Sequence, residues 1–320
     1  MTIMMILPAL ITFIVGYLLI KYPISISVPT ERGMHKNNIA SSGGIAILIG
    51  IISFLIIDTP RYFYIGPVLM LIIVALIGYI DDKKSLGKLF RFGSQILVSI
   101  VIVNTPYTGL DLILKLFSII LIIYTINIYN FMDGIDQLAI SQAIFFTIGS
   151  AMLFLHVGTV EVALIFISFY LLNYKNTKIF LGNSGSYLLG LYIAMQIVLI
   201  PTNSNTDNIL VAMFIFMTTF YVDATHTIIN RFFKKFSTDA TIVESIEHIT
   251  QAHRLHAYQK LAIKYNSHSK VVFLMMSYNY IWCLPLAYIA YTYDYFLIPV
   301  LLSYLPYIYY CYINKAGTES

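Results

Sequence analysis

The sequence predicts an all-α, polytopic membrane protein of ten or eleven transmembrane helices, with its polar chemistry on the cytoplasmic face, and three observations carry that prediction. Hydrophobic residues make up 59% of the 320 positions and charged residues only 11%, against about one-quarter charged in a soluble domain. Apolar runs recur near residues 3–21, 42–57, 64–80, 93–104, 109–126, 138–156, 160–173, 185–200, 208–230, 271–291 and 295–313. Each approaches or reaches the roughly 20 residues that cross a hydrocarbon core. Finally, with alternate loops taken as cytoplasmic, all but Arg61 and Lys115 of the 19 lysines and arginines fall on one side, which the positive-inside rule assigns to the cytosol.

The elements follow in order. The first run lacks a small-residue cleavage site and is expected to remain as a helix, with the N-terminus outside and the C-terminus inside if eleven spans form. A single integral-membrane domain, 1–320, is expected, with cytoplasmic loops at about 22–41, 81–92, 127–137, 174–184 and 231–270. Loops on the other face, such as "PTNSNTDN", are short and chemically plain. The net charge of +4 follows from membrane topology and needs no nucleic-acid partner. Cys283 and Cys311 both lie in apolar runs, so neither a disulfide framework nor a zinc cluster is indicated.

Asp81 and Asp82 end the third run, just before Lys83 and Lys84. A solvated helix end is one reading, but adjacent carboxylates repel and a helix C-terminus disfavours negative charge, a conflict that a cation or a proton-bearing substrate removes. Asn127, Asn130, Asp133 and Asp136 recur every three residues and share a helical stripe if helix continues through Gly134. Capping a membrane helix needs one such residue, whereas hard cations such as Mg2+ take carboxylate and amide oxygens while keeping water. Asp223 sits within the ninth run with His226, Asn230 and Arg231 on its face. Placing a carboxylate there costs on the order of 3 kcal/mol, so it lines a polar site or pairs with Arg231.

In "QAHRLHAYQ", His253 and His256 are spaced to lie together on a helix, with Arg254 and Gln259 alongside. Phosphate contact, a solvated face and a metal site are all open, although no third metal ligand is suitably spaced. In "FLGNSGSYLLG", Gly182 and Gly185 permit a tight turn into a helix whose first amides can receive an anion. Carboxylates and amides for a cation, bases for phosphates and an apolar wall for a lipid are what phosphoryl transfer from a soluble donor to a lipid acceptor requires. A transporter would place polar groups at mid-membrane and on both faces, which this sequence does not.

The ordered segments "PTERGMH", "GGIAI", "GYIDDKKSLGKLFRFGSQ", "NIYNFMDGID", "FLGNSGSYLLG", "VDATHTIINR" and "AHRLHAYQ" together resemble the polyprenyl-phosphate N-acetylhexosamine-1-phosphate transferases, glycosyltransferase family 4. The "AHRLHAYQ" form is similar to bacterial enzymes that start O-antigen or related surface-glycan synthesis, and less so to peptidoglycan-precursor transferases. The resemblance implies an enzyme of the bacterial cytoplasmic membrane. Undecaprenyl phosphate attacks the β-phosphorus of a UDP-N-acetylhexosamine, UMP leaves, and Mg2+ or Mn2+ is required; a homodimer is also implied.

By the same resemblance, Asp81 and Asp82 bind or deprotonate the lipid phosphate, and Asn130, Asp133 and Asp136 hold the metal-diphosphate region. Asn173 and Phe180 contact uracil, and His253, Arg254 and His256 grip the diphosphate. Arg32 and His35, beside Glu31, match the first cytoplasmic motif and belong with the substrate-binding residues. The implied metal ligands are Asp133, Asn130 and Asn183, but Asn183 stands where the family carries an aspartate. Gln137 replaces a usual glycine, and Ala40-Ser41-Ser42 replaces a Pro-Arg pair. Losing one full charge should weaken a dication site, so a catalytically weak or inactive lipid- or nucleotide-binding relative is the alternative.

Overall fold

The computed structural model describes residues 2–27, 38–57, 65–105, 108–154, 159–174, 177–204, 207–238, 240–251, 253–293 and 295–319. Arg32 and His35 lie outside the described residues. The chain is almost wholly helical and divides into two compact units, Met1–Ile209 and Leu210–Ser320.

The first unit contains α1 (Thr2–Lys21), a minimal hairpin of β1 (Ile26–Ser27) and β2 (Ile39–Ala40), α2 (Gly43–Ile57), α3 (Ile65–Lys84), α4 (Lys88–Val103), α5 (Leu112–Met132), α6 (Leu138–Phe154), α7 (Thr159–Asn173) and α8 (Gly182–Ser204). Helix α9 (Asp207–Phe216) crosses the boundary. The second unit continues with α10 (Thr218–Phe236), α11 (Ile242–Ile249), α12 (Ala257–Tyr265), α13 (His268–Tyr278), α14 (Leu284–Tyr293) and α15 (Leu297–Ile313). A widened turn, Asn279–Cys283, joins α13 to α14 without a break.

Three helical stretches, Leu112–Met132, Gly182–Ile200 and His268–Tyr293, are long and apolar enough to cross a membrane. Shorter apolar helices, Ile6–Lys21, Gly43–Ile57, Leu138–Phe154, Val160–Asn173 and Leu297–Ile313, coincide with further expected spans. The protein is therefore an all-α membrane protein. The ninth expected span is not one straight helix, because α9 and α10 meet at a 67° bend. Thr218 Oγ1 donates to the Ile215 carbonyl at 2.7 Å there, a side-chain competition for backbone acceptors that favours helix bending.

Helix α8 forms the spine of the first unit and packs against α2, α3, α5 and α6. Small residues set the depth of these contacts, as expected where lipid removes the usual hydrophobic drive between helices. A Cβ on Gly44 would lie 2.2 Å from the Gly185 nitrogen, and one on Gly78 would lie 2.4 Å from the Asn183 carbonyl oxygen. The starts of α2 and α8 and the last turns of α3 thus approach backbone to backbone. Between them runs an extended segment, in which Phe180 donates its amide to Ala40 at 2.7 Å and Gly43 donates to Phe180 at 2.9 Å.

Candidate functional site

In the first unit the predicted carboxylates meet at helix ends. Asp81 and Asp82 occupy the last turn of α3, and α8 starts against them because Gly182 adopts φ +70°, where a Cβ would lie 2.7 Å from Asp82 Oδ2. Asp82 Oδ1 accepts the Asn183 amide at 3.0 Å and Oδ2 the Ser184 amide at 3.4 Å, so the first amides of α8 do receive an anion, one supplied by the protein itself. Burial nevertheless raises the Asp82 carboxyl to about 6, against the lowering by these two amides and with a further raising from Asp81.

Asp81 is buried and its oxygens are crowded with donors. Leu86 donates its amide to Oδ1 at 2.7 Å, while Arg91 Nη1, Tyr187 Oη and Asn183 Nδ2 reach Oδ2 at 3.2, 3.1 and 3.1 Å. Asn183 Oδ1 in turn accepts from Asn130 Nδ2 at 2.8 Å, and Asn130 also donates to Ser186 at 3.1 Å. One chain of hydrogen bonds therefore runs from Asn130 through Asn183 to Asp81.

Helix α5 stops at Met132 with Asp133 as its C-cap, so the four-residue stripe expected to include Asp136 on a single helix does not form. Asp136 lies in the turn before α6, whose last residue, Gln137, has φ +69°. This left-handed backbone is the reason a glycine suits the position. Gln137 compensates by donating Nε2 to the Asn173 carbonyl at 2.6 Å. Asp133 still belongs with the other acids: burial first, then the charges of Asp82 and Asp136, push its carboxyl well above the usual carboxylate range.

Asn173 is buried, and its Oδ1 accepts the Ile179 amide at 3.2 Å, closing the loop that precedes α8; Phe180 is half-buried beside it. Among the described residues no three of His, Cys, Asp and Glu are placed to hold an ion alone. Residues of the kind that could hold a hard cation are nevertheless gathered here, crowded carboxylates whose repulsion a positive charge would relieve and the side-chain amides of Asn130 and Asn183, which bond to one another.

In the second unit Asp223 is fully buried and accepts three donors around the start of α12. The Ala257 and Tyr258 amides lie at 3.0 Å each and His256 Nδ1 at 3.2 Å. Arg231 is not its partner among these contacts. Its guanidinium donates to the His248, Ile249 and Gln251 carbonyls at 2.6, 2.8 and 3.3 Å, where positive charge suits the end of α11.

His253 and His256 are not helical neighbours as the spacing suggested. They precede α12, where their rings stack with centroids 5.0 Å apart. His256 takes the N-cap position because Asp223 holds both it and the next two amides. Burial, followed by the positive surroundings of His256, Arg231 and His248, pushes His253 down to about 3. Arg231 Nε and Arg254 Nη2 are buried and meet no acceptor among the described residues. Guanidinium N–H groups left without an acceptor and a histidine kept neutral first by burial and then by positive neighbours make this segment receptive to an anion.

Residues 64–201 match the family model described as glycosyl transferase family 4. Over those residues, fewer than half of its 320, the chain is similar to that family. A decaprenyl-phosphate N-acetylglucosaminephosphotransferase of Mycolicibacterium smegmatis is 27% identical over 209 residues, 53% of this chain and 52% of that protein. An undecaprenyl-phosphate alpha-N-acetylglucosaminyl 1-phosphate transferase of Thermotoga maritima is 28% identical over 171 residues, 52% and 54% of the two chains. A probable undecaprenyl-phosphate N-acetylglucosaminyl 1-phosphate transferase of Bacillus subtilis is 27% identical over 248 residues, 70% of this chain and 69% of that protein. The chain spans about half the length of the first two of these relatives.

In the first unit, the structure joins Asp81, Asp82, Asn130, Asp133, Asp136 and Asn183, while Asn173 at the end of α7 ties down Ile179, the residue before Phe180. Reading by sequence missed Arg91 and Tyr187. Arg91 lies ten residues after Asp81, in the first turn of α4, and returns to it because a short non-helical link separates α3 from α4. Tyr187 lies 106 residues from Asp81, and its one local signal is its place a helical turn beyond Asn183.

Proposed function

We propose that the protein transfers a sugar 1-phosphate of the N-acetylhexosamine type from a UDP-sugar to undecaprenyl phosphate, releasing UMP at the cytoplasmic face of a bacterial inner membrane. The observation that carries this reading is the cluster of Asp81, Asp82, Asn130, Asp133 and Asn183 at the ends of α3, α5 and α8, in a chain whose residues 64–201 match the family 4 model. The relatives' names support the acceptor and the sugar class. The "AHRLHAYQ" segment supports the first step of O-antigen or a related surface glycan. Ten or eleven spans and a homodimer complete the reading.

In this chemistry a lipid phosphate oxygen forms a bond to the β-phosphorus while the bond from that phosphorus to the bridging oxygen breaks, and UMP departs with the electron pair. Asp82 is the residue suited to take a proton from the lipid phosphate, since its carboxyl titrates at about 6. Asp133, with amide oxygens of Asn130 and Asn183, would hold Mg2+ or Mn2+, and that ion would neutralise charge on the diphosphate. Asn173 and Phe180 frame the uracil, and His253, Arg254 and His256 supply donors to the phosphates. Arg32 and His35 are assigned to substrate binding on the sequence motif alone.

Detergent-purified protein incubated with undecaprenyl phosphate, Mg2+ and a panel of UDP-sugars should release UMP with at least one donor. Asp133→Asn should stay folded and lose metal-dependent release; retained turnover would remove Asp133 from the site. Asn183, whose amide is engaged by Asn130 and Asp81, favours a second reading, a binding protein without turnover. UDP-sugar binding with no UMP release from any donor would select that second reading.

A further inference from the structure

Asn183 and Tyr187 lie four residues apart on α8, so they share a face, and both donate to the same oxygen of Asp81, each at 3.1 Å. Arg91 reaches that oxygen through Nη1 at 3.2 Å, and the same nitrogen lies 3.5 Å from Tyr187 Oη. This pairing is one-pronged. A two-pronged Arg–carboxylate pair fixes its own orientation, whereas a single nitrogen on a single oxygen leaves the guanidinium free to pivot. Tyr187 supplies the missing second point: its hydroxyl donates to Asp81 and its oxygen faces Arg91. The tyrosine is 3% exposed, so the hydroxyl is locked in place by packing, while the Arg91 side chain keeps 32% exposure.

We infer that Tyr187 is a positioning residue that, with Asn183, holds the Asp81–Arg91 pair in register at the mouth of the site. The inference rests on the transferase reading above. Asn183 belongs to the same device: a carboxylate at 183 would bring a like charge against Asp81 Oδ2, whereas the amide brings a donor. The chain thus replaces charge at 183 with two neutral donors acting on one oxygen. Backbone approach at Gly78, which brings the Asn183 carbonyl against α3, keeps those donors in reach. Tyr187 acts through Asp81 and Arg91.

The test is a double-mutant cycle between Tyr187→Phe, which removes one oxygen and leaves the ring in place, and Arg91→Ala. Tyr187→Phe should lower kcat about tenfold with KM for the UDP-sugar changed less than about twofold, and should add little further loss in the Arg91→Ala background. The thermal midpoint of the solubilised protein should show the same non-additivity. Arg91→Lys, which keeps the charge but loses the planar fork, should reproduce the kcat-only loss and serves if Tyr187→Phe does not fold. Equal and additive losses in both backgrounds, or a loss confined to KM, would overturn the inference while leaving the transferase reading intact. Absence of UMP release from the unsubstituted protein would overturn the transferase reading and with it the catalytic half of this inference, and the thermal cycle would still decide whether Tyr187 and Arg91 act as a pair.

Discussion

His256 Nδ1 lies 3.2 Å from Asp223 Oδ1, and the same carboxylate accepts the amides of Ala257 and Tyr258, so a buried acid of α10 anchors the segment that leads into α12. This accounts for a buried charge that pairing with Arg231 does not. A carboxylate with several N–H donors at a helix start is stabilised by those donors and by the amide dipoles.

Removing that anchor should loosen the His253–His256 segment. Asp223→Ala strands two buried amides and the imidazole, at a cost of about 3 kcal/mol, and should lower UMP release more than the thermal midpoint alone accounts for. Asp223→Asn keeps one acceptor and should cost about half as much. Thermal unfolding in detergent together with UMP release checks both. An Asp223→Ala protein with unchanged turnover would show that the segment holds its geometry without the anchor.

Gln137 offers a separate test of backbone strain against a side-chain bond. Gln137→Ala keeps the left-handed backbone and loses the 2.6 Å bond to Asn173, so it should destabilise by about 1–2 kcal/mol. Gln137→Gly loses the same bond but relieves the backbone by about 1 kcal/mol, so it should come out close to neutral. Midpoints ordered with alanine above glycine would contradict this account.

The apolar runs and the paired acids were legible because membrane crossing and charge crowding are written in composition and short spacing. The helices of the first unit fall where those runs predicted. Spacing failed where the backbone left the helix. The three-residue interval between His253 and His256 suits a helix equally well, yet Asp223 draws that segment out as the N-cap of α12. The interval from Asp133 to Asp136 crosses the end of α5, since Met132 is its last helical residue. The clamp on Asp81 was illegible for another reason. Its members lie on α3, α4 and α8, and no local pattern encodes a contact spanning 106 residues.

Asn183→Asp tests the substitution that sets this chain apart. The new carboxylate would face Asp81 Oδ2, now 3.1 Å from the Asn183 amide, and like charges at that range repel by a few kcal/mol at an effective dielectric constant of about 20. The metal-free variant should therefore melt below the unsubstituted protein. Added Mg2+ should recover much of the loss, making the gap between EDTA and Mg2+ scans wider in the variant. An equal loss in both scans would show that position 183 does not sense the ion.

His253 and Asp82 should give opposite pH slopes. His253 is pushed down from 6.5 to about 3 by burial and positive neighbours, so the unfolded chain takes up its proton first as pH falls. Stability linked to His253 is therefore complete above about pH 6.5 and declines progressively toward pH 3. Asp82 is raised from 3.8 to about 6, so its contribution is complete below pH 3.8 and is lost as pH rises through about 6. Between these limits the two partly cancel, and single variants are needed to separate them. His253→Gln should flatten the loss of thermal midpoint on acidification, while Asp82→Asn should steepen it. Binding of UDP should shift the histidine slope, because phosphate oxygens favour the imidazolium and binding near neutral pH would then take up protons, a quantity that calorimetry in buffers of different ionisation enthalpy measures directly. Binding without proton uptake would place the phosphates away from His253.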